Sequence, residues 1–479
     1  MQRKLRAFGA RGHDLLVIGG GIHGAAAAWD AAQRGLATAL VEAHDFGSGT
    51  SWNSLKTIHG GLRYLQSLDL VRLRESVRER RALLRIAPEL VRPLPFVVPV
   101  YGHGARGREA FAAGLRLYSW LSRDRSEGLS EDRRVPEARM LSPAELRERV
   151  PGVSPDGLTA GVLWWDAQVL SSERLTLAFV RAACDAGAVV ANHAEVVSLL
   201  RDGTRVTGAR VRDGLTSEEF EVQARMVLNA AGPGVDEVLR RGGITRRPTP
   251  MVRAFNVVLN RPVVSWEGVG GRAGRRFLFL VPWRDRAIFG TDYAPADTLA
   301  GPTDVERILS KGARAFPWAQ LRRNDVALVH RGRVPTSGDA GGLLSRPILV
   351  DHARADAVPG IVSMMGVKYT TARAVAEQAV DLAVTRLGAR VAPCRTSVTP
   401  LAHARPLAGG LAERARIAVG EEMACTLTDA MLRRLDLGTV GAPEPGEVEV
   451  VAGVMAAALG WSASRQAEEL RALLETYRA

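Results

Sequence analysis

The sequence predicts an α/β fold (α+β overall), and three observations support that prediction. An apolar run at 15–18 ends in a glycine-rich turn and is followed by an alanine-rich stretch of high helix propensity. Segments at 224–234 and 361–387 repeat the order of buried strand, glycine turn and helix. Between them, 251–293 consists of short apolar runs bounded by turns, which is typical of an antiparallel sheet.

The first glycine turn has the spacing of a dinucleotide-binding site. Gly19, Gly21 and Gly24 fit the pattern G-x-G-x-x-G between a strand and a helix. Such a turn brings unpaired amide groups and the positive end of the helix dipole to a pyrophosphate. Glu42 ends the next apolar run, 18 residues after Gly24, where a ribose hydroxyl needs an acceptor. An ordinary glycine-rich turn leaves Glu42 unexplained, so we expect a dinucleotide in a Rossmann-type domain.

Composition narrows the class of partner. The formal net charge of the 479 residues is +13, which favours anionic partners such as phosphorylated substrates, acidic lipids or nucleic acid. The arginines are spread along the chain, so a general bias toward arginine explains the same charge. Three scattered cysteines predict neither a disulfide framework nor a metal cluster. No apolar run reaches 18 residues and the basic start lacks an apolar core, so we expect neither a membrane-spanning helix nor a signal peptide.

The alternation of these patterns divides the chain into three predicted domains. The nucleotide-binding domain is discontinuous and takes 1–75, 156–245 and 343–392. The substrate domain takes 76–155 and 246–342. The rest, 393–479, is predicted to be a helical C-terminal domain, ending in two amphipathic helices split at Gly460 and Trp461.

Two longer motifs follow, and the one that contains His59 is far more specific than the glycine turn. Residues 54–65 read Ser-Leu-Lys-Thr-Ile-His-Gly-Gly-Leu-Arg-Tyr-Leu, and residues 366–373 read Gly-Val-Lys-Tyr-Thr-Thr-Ala-Arg. With Asn-Ala-Ala-Gly-Pro at 229–233 and Leu-Gly-Trp at 459–461, they resemble the FAD-dependent glycerol-3-phosphate dehydrogenases, over most of the chain. The resemblance implies FAD in the Rossmann-type domain and oxidation of sn-glycerol 3-phosphate to dihydroxyacetone phosphate, with electrons passed to a quinone.

The resemblance also implies a set of site residues. His59, Arg63 and Lys368 are expected on the substrate side of the flavin. A histidine titrates near neutrality, so His59 is the first candidate base, and Lys368 is the second. The implied substrate-binding residues are Arg63, Arg333 and Arg346. The implied cofactor-binding residues are Gly19, Gly21, Gly24, Glu42, Thr50, Ser51, Lys56, Ala231, Gly232, Gly366, Lys368 and Thr370. We expect no metal ligand.

Departures from the family pattern leave the substrate open. The family's phosphate-holding arginine sits in Gly-x-Arg-Pro, whereas residues 331–335 read Arg-Gly-Arg-Val-Pro. Arg333 is therefore displaced by one residue, and Arg331 is the other match. Asn256 stands where the family often has a histidine. One alternative is an FAD-dependent oxidase of another small hydroxy- or amino acid. Another is a basic binding protein without flavin, against which His59 and Lys368 argue.

Expectations about partners follow from the resemblance and from the charge. They are a small phosphorylated substrate, a membrane quinone as electron acceptor and an anionic membrane surface, to which the protein attaches peripherally on the cytoplasmic face. A homodimer is an open alternative, and we expect no nucleic acid.

Overall fold

The computed structural model describes residues 1–9, 12–274, 276–296, 302–338, 343–344 and 346–477. Over these residues the chain forms seventeen strands and thirteen α-helices. The strands are β1 His13–Ile18, β2 Thr38–Val41, β3 Thr57–Ile58, β4 Val91–Tyr101, β5 Arg139–Leu141, β6 Leu158–Val169, β7 Val189–Ala191, β8 Ala194–Asp202, β9 Arg205–Asp213, β10 Glu219–Asn229, β11 Met251–Leu259, β12 Gly268–Ala273, β13 Arg276–Trp283, β14 Arg286–Pro295, β15 Val326–Pro335, β16 Ile348–Asp351 and β17 Ile361–Met365. The helices are α1 Arg6–Gly9, α2 Ile22–Gln33, α3 Leu70–Ile86, α4 Arg108–Leu121, α5 Pro143–Arg149, α6 Ser172–Asp185, α7 Val235–Arg241, α8 Pro302–Ala315, α9 His352–Ala355, α10 Ala372–Leu387, α11 Leu411–Glu422, α12 Pro445–Leu459 and α13 Ala463–Glu475.

The first sheet is the predicted nucleotide-binding sheet. Its strand order is β16-β17-β10-β1-β2-β7, and β1 runs parallel to both β2 and β10. Helices α2, α6 and α10 bury their apolar residues in one core cluster with β1 and β17. The sheet is mixed because β16 is antiparallel to β17 and the β8–β9 hairpin extends β10. The predicted α/β class is confirmed.

The second sheet has the order β15-β11-β14-β13-β12-β4-β6-β3 and is mainly antiparallel. Its 251–295 part matches the predicted antiparallel region. One face packs under α8 in a cluster that includes Val305 and Ile308. The other face packs around Trp52 and Trp283. Strands β3 and β6 fall in segments predicted for the nucleotide-binding domain, yet both pair in this sheet, because β6 takes β4 as its long antiparallel partner.

The C-terminal region is helical, as predicted. Helices α11, α12 and α13 pack around their own apolar core. Fully buried ion pairs join this region to the first sheet, because Asp45 accepts hydrogen bonds from Arg433 at 2.5 Å and from Arg434 at 2.7 Å. Among the described residues, no helix combines the length and apolar character needed to cross a membrane.

Candidate functional site

The glycine turn after β1 leaves the N-terminus of α2 open. The amide of Gly19 donates to the carbonyl of Val41 at 2.8 Å, which holds the turn against β2. A Cβ at Gly24 would overlap the carbonyl oxygen of Gly19, so only glycine allows α2 to approach the strand this closely. Gly21 is the N-cap of α2 and has no side chain that could accept a hydrogen bond from the first turn. The first turn of α2 is therefore suited to a pyrophosphate.

Two predicted cofactor residues lie at this turn. The Glu42 carboxylate accepts hydrogen bonds from the amides of Gly20 at 2.6 Å and His44 at 2.9 Å. Burial raises the pKa of Glu42, although both hydrogen bonds act to lower it. The Ser51 hydroxyl accepts a bond from the amide of Ile22 at 2.9 Å. Glu42 and Ser51 thus flank the helix end on which a dinucleotide would lie.

The carboxyl ends of β10 and β17 supply the rest of the predicted cofactor surface. Ala231 and Gly232 lie just beyond Ala230, which follows β10, and Gly232 adopts a positive φ of 56°. Gly366 follows β17, and a Cβ there would overlap the imidazole of His23 on α2. These positions lie at the same edge of the parallel sheet as the glycine turn, which is where open α/β sheets bind ligands.

His59 has a buried carboxylate behind it. Its Nδ1 lies 3.4 Å from Oδ2 of Asp166, and the histidine side chain is 47% exposed while Asp166 is 6% exposed. Oδ1 of Asp166 accepts the amide of Gly60 at 2.5 Å and Nη1 of Arg80 at 3.2 Å. Burial alone would raise the pKa of Asp166, but His59 and Arg80 bring it below its ordinary value. This pair orients the ring and leaves Nε2 to accept a proton.

The motifs at 54–65 and 366–373 meet around His59 in space. The His59 amide donates to the Thr370 hydroxyl at 3.1 Å. Nζ of Lys368 lies 4.1 Å from the centroid of the Tyr64 ring, next to Arg63 in sequence. Burial, and then the charge of Arg63, lower the pKa of Lys368 to about 8. Across the described ranges, no carboxylate lies within salt-bridge distance of Arg63 or Lys368. The structure thus brings together the three residues predicted as catalytic.

Lys56 has a different setting from the one predicted. Its side chain is fully buried, and Nζ donates to Glu173 at 2.7 Å, to Ser172 at 2.8 Å and to the carbonyl of Trp52 at 2.9 Å. An ammonium group has three donors, so all three are used within the protein. Lys56 therefore holds the 52–56 loop against α6 and has no donor left for a cofactor.

Arg333 lies in β15, and the alternation of that strand decides where its side chain points. Val329 packs in the cluster beneath α8, whereas Leu328 packs in the cluster around Trp52 on the opposite face. Arg333 shares the face of Val329 and pairs with Arg253, which binds Asp304 of α8 at 2.8 Å. A displacement by one residue in a strand moves a side chain to the other face.

Val334, the residue after Arg333, has the parity of Leu328 and so lies on the face around Trp52. The structure does not bring the Arg333 side chain to this face. Its backbone does contact the predicted loop, because the Thr50 hydroxyl donates to the Arg333 carbonyl at 3.0 Å and accepts its amide at 3.1 Å. Arg331 has the same parity as Arg333. Arg346 is exposed, and its charge acts on Asp69 and Glu75 beside α3.

The sequence analysis did not single out Asp166, which contacts His59, nor Tyr293 and Arg276 of the second sheet. Asp166 is an acid within the apolar strand β6, and that contrast is the signal that was available. Tyr293 and Arg276 lie at the ends of β14 and β13, where the Arg276 guanidinium lies 5.2 Å from the Tyr293 ring centroid. No sequence pattern marks them, because their proximity depends on strand pairing.

One group of potential metal ligands occurs among the described residues, namely His193, Cys425 and Asp429. The Asp429 carboxylate already accepts bonds from His193 at 2.8 Å and Arg433 at 2.7 Å. Burial raises the pKa of the Cys425 thiol to about 12, which disfavours the thiolate that a metal needs. These three residues therefore belong to the ionic contact between the C-terminal helices and the first sheet.

Comparison with known proteins agrees with this geometry. The family model described as FAD dependent oxidoreductase matches residues 14–382. A glycerol-3-phosphate dehydrogenase from Synechocystis is 36% identical over 420 residues, which are 82% of this chain and 74% of the relative. The human mitochondrial glycerol-3-phosphate dehydrogenase is 34% identical over 405 residues, covering 80% of this chain but 54% of its own length. The chain thus spans about half of the mitochondrial relatives.

Solved structures share the fold. The glycerol-3-phosphate dehydrogenase from Bacillus halodurans, solved with FAD, superposes with a TM-score of 0.75 at 22% identity and covers 98% of this chain and 96% of its own. L-proline dehydrogenase from P. horikoshii superposes with a TM-score of 0.60 at 17% identity, over 78% of this chain and 94% of its own. At these identities the likeness concerns the fold and not the substrate.

Proposed function

Because the chain belongs to the FAD-dependent glycerol-3-phosphate dehydrogenase family, we propose that it oxidises sn-glycerol 3-phosphate to dihydroxyacetone phosphate and passes the electrons to a membrane quinone. The observation that carries the proposal is that His59, backed by Asp166, lies with Arg63 and Lys368, neither of which has a carboxylate partner among the described residues. A base and uncompensated positive charge are what a phosphorylated alcohol requires.

FAD is the cofactor of this family, and the residues present fit it. The N-terminus of α2, with Gly19, Gly21 and Gly24, suits the pyrophosphate, and Glu42 suits the adenosine ribose. Residues 50–51, 231–232 and 366–370 border the same sheet edge. When bound, FAD supplies the hydride acceptor for the alcohol carbon.

The protein supplies the proton acceptor and the orientation. In our proposal Nε2 of His59 takes the proton of the C2 hydroxyl as the hydride leaves C2, and Asp166 holds Nδ1 so that the ring keeps one tautomer. Arg80 neutralises Asp166 in turn, which keeps that carboxylate ionised in a buried position. Arg63 and Lys368 meet the phosphate charge, and arginine suits its oxygens geometrically.

The test is anaerobic addition of glycerol 3-phosphate to the purified, FAD-loaded protein. We expect the flavin absorption to bleach and dihydroxyacetone phosphate to form in equal amount. Glycerol, which lacks the phosphate, serves as the matched control and should bleach the flavin far more slowly. A flavin that stays oxidised in the presence of glycerol 3-phosphate would contradict the proposal.

A second candidate is an oxidase of another small hydroxy- or amino acid, and Val334 is the observation that favours it. Val334 follows the displaced Arg333 on the face of β15 around Trp52, so β15 has no arginine at that position of this face. The oxidase would bleach with a non-phosphorylated acid and reoxidise rapidly in air with release of hydrogen peroxide. The dehydrogenase should reoxidise faster with a soluble quinone analogue than with oxygen.

We also propose peripheral attachment to the cytoplasmic face of an anionic membrane. The support is the net charge of +13 and the expected quinone acceptor. Binding to vesicles containing anionic lipid should weaken as salt rises. Equal binding to neutral and anionic vesicles would contradict the electrostatic part of this proposal.

A further inference from the structure

The turn that leads into α3 exposes three large apolar side chains. Leu68 is 73% exposed, Leu70 is 37% exposed and Val71 is 78% exposed. We call these three residues the apolar tip. A single exposed leucine is common on protein surfaces, but three such side chains within four residues form an apolar feature of the kind that marks a contact with a protein or a membrane.

Hydrogen bonds hold this turn in place even though its backbone is strained. Leu68 has a φ of 51°, in the left-handed region that bulky residues rarely adopt. The next residue, Asp69, donates its amide to the Tyr64 carbonyl at 3.1 Å and caps α3 by accepting the Arg72 amide at 3.0 Å. Glycine or asparagine would fit the backbone at position 68 better. The exposed leucine is therefore better explained by a contact outside the chain.

A stripe of arginines continues the exposed side of α3 beyond the apolar tip. Its four members follow Val71 at spacings of three and four residues and so share its side of the helix, namely Arg74, Arg78, Arg81 and Arg85. Arg74 and Arg81 pair with Asp124 at 2.5 and 3.0 Å. Arg78 and Arg85 are exposed, and within the described ranges neither has a carboxylate at salt-bridge distance. Apolar side chains next to exposed arginines suit the surface of an anionic membrane.

The opposite side of α3 contacts the candidate site. Arg80 follows Val71 by nine residues, which is half a turn around the helix axis. Its Nη1 lies 3.2 Å from the carboxylate of Asp166, the residue behind His59. Since a helix with its side chains is about 10–12 Å across, the tip and the stripe lie roughly one helix diameter from the candidate site. A membrane on this face would therefore lie close to the flavin.

On the basis of the proposed electron transfer to a membrane quinone, we propose that this side of α3 is the face that docks on the membrane. The apolar tip inserts into the acyl boundary of the bilayer, and the arginine stripe binds anionic headgroups. Charge favours lipid over a second copy of this chain, because a symmetric contact across this face would bring two arginine stripes together.

The test compares Leu68→Asn and Val71→Asn with Val450→Asn, each in the FAD-loaded protein. Val450 is the matched control because it is 42% exposed on α12. Sedimentation with vesicles of phosphatidylglycerol and phosphatidylcholine should show about tenfold weaker partitioning for each of the first two variants, since each loses a buried apolar side chain. Val450→Asn should bind as wild type does. Leu68→Asn should keep the wild-type stability, because asparagine tolerates the left-handed backbone.

Two further measurements separate charge from insertion and docking from catalysis. Arg78→Gln should weaken binding to anionic vesicles severalfold and leave binding to neutral vesicles unchanged, since each arginine near the surface adds attraction to anionic lipid. With glycerol 3-phosphate and a soluble quinone analogue, Leu68→Asn and Val71→Asn should turn over at the wild-type rate.

Vesicle binding at the wild-type level in both Leu68→Asn and Val71→Asn would overturn the proposal. A wild-type dimer that Val71→Asn converts to a monomer would also overturn it, because the tip would then bind a second copy of the chain. Wild-type protein that binds no vesicle of either composition would refute membrane attachment as a whole. The oxidation of glycerol 3-phosphate is judged separately, by bleaching of the flavin without vesicles.

Discussion

Lys56 and Lys368 belong to two motifs that the sequence places beside the cofactor, yet the fold treats them in opposite ways. Lys56 is fully buried, and a carboxylate, a hydroxyl and a carbonyl use its three donors. Lys368 is half-buried over Tyr64, with Arg63 as its charged neighbour and a pKa lowered to about 8. A lysine whose donors are all used stabilises the fold. A lysine left beside another cation is available to an anionic substrate.

Removing each lysine in turn tests whether Lys56 stabilises the fold and Lys368 binds the substrate. Lys56→Met leaves the buried Glu173 without its partner, and we expect the free energy of unfolding to fall by about 3–5 kcal/mol. Lys368→Met removes a charge that has no carboxylate partner among the described residues, so the stability should stay close to wild type while KM for glycerol 3-phosphate rises. Denaturant titrations of both variants make the measurement.

The control for the first change is the double variant Lys56→Met with Glu173→Gln. Removing both charges should recover part of the lost stability, because the penalty arises from the unpaired carboxylate. If Lys56→Met unfolds at the wild-type denaturant concentration but loses FAD, Lys56 contacts the cofactor as first predicted.

His59 differs from both lysines, because Asp166 contacts its Nδ1 and leaves Nε2 available to accept a proton. His59→Gln should lower kcat by about a hundredfold or more, since a positioned general base contributes roughly 10²–10⁴-fold. Asp166→Asn should lower kcat less and change its pH dependence, because the ring stays but loses its orientation. Both variants should keep their flavin spectrum. A larger effect on KM than on kcat in His59→Gln would instead make His59 a binding residue.

The pH dependence of the reaction sharpens the assignment of Lys368. Its ammonium form, present below a pKa of about 8, attracts the phosphate, so kcat/KM for glycerol 3-phosphate should fall as the pH rises through 8. In Lys368→Arg the charge persists, and this alkaline limb should disappear. A rate that rises through pH 8 would make the neutral amine of Lys368 the base, which is the second candidate derived from the sequence.

The smallest expected effect concerns Arg333. Its side chain leaves β15 on the face of α8, so Arg333→Gln should change KM by less than about twofold, as is usual for changes away from a binding site. The sequence resemblance alone predicts a large rise in KM for the same variant. Steady-state measurement of KM for Arg333→Gln therefore decides between the small change expected from the strand alternation and the large rise expected from the sequence motif.

The sequence predicted those parts of the site that depend on local order. The turn from Gly19 to Gly24 follows from a strand, three glycines and a helix that are adjacent in the chain, and the motif containing His59 and Arg63 is one continuous segment. The burial of Lys56 against Glu173 was not predicted because the two residues are 117 positions apart, and no local pattern indicates that pairing.

The same limit explains the differences in the sheets. Strand β6 lies in a segment assigned to the nucleotide-binding domain, but its register with β4 depends on contacts far apart in sequence. The face on which Arg333 lies depends on the pairing of β15 with β11. The nearness of Arg276 to Tyr293 likewise appears only once β13 and β14 lie side by side. These three features depend on strand pairing, which the spacing of residues along the sequence does not reveal.

The central claim is that the hydride leaves C2 of glycerol 3-phosphate while His59 takes the hydroxyl proton. Anaerobic stopped-flow reduction of the flavin by glycerol 3-phosphate deuterated at C2 tests it most directly. We predict that deuterium at C2 slows the bleaching severalfold, whereas deuterium at C1 or C3 leaves its rate unchanged. Bleaching at equal rates with all three substrates, or no bleaching with any of them, would contradict the account.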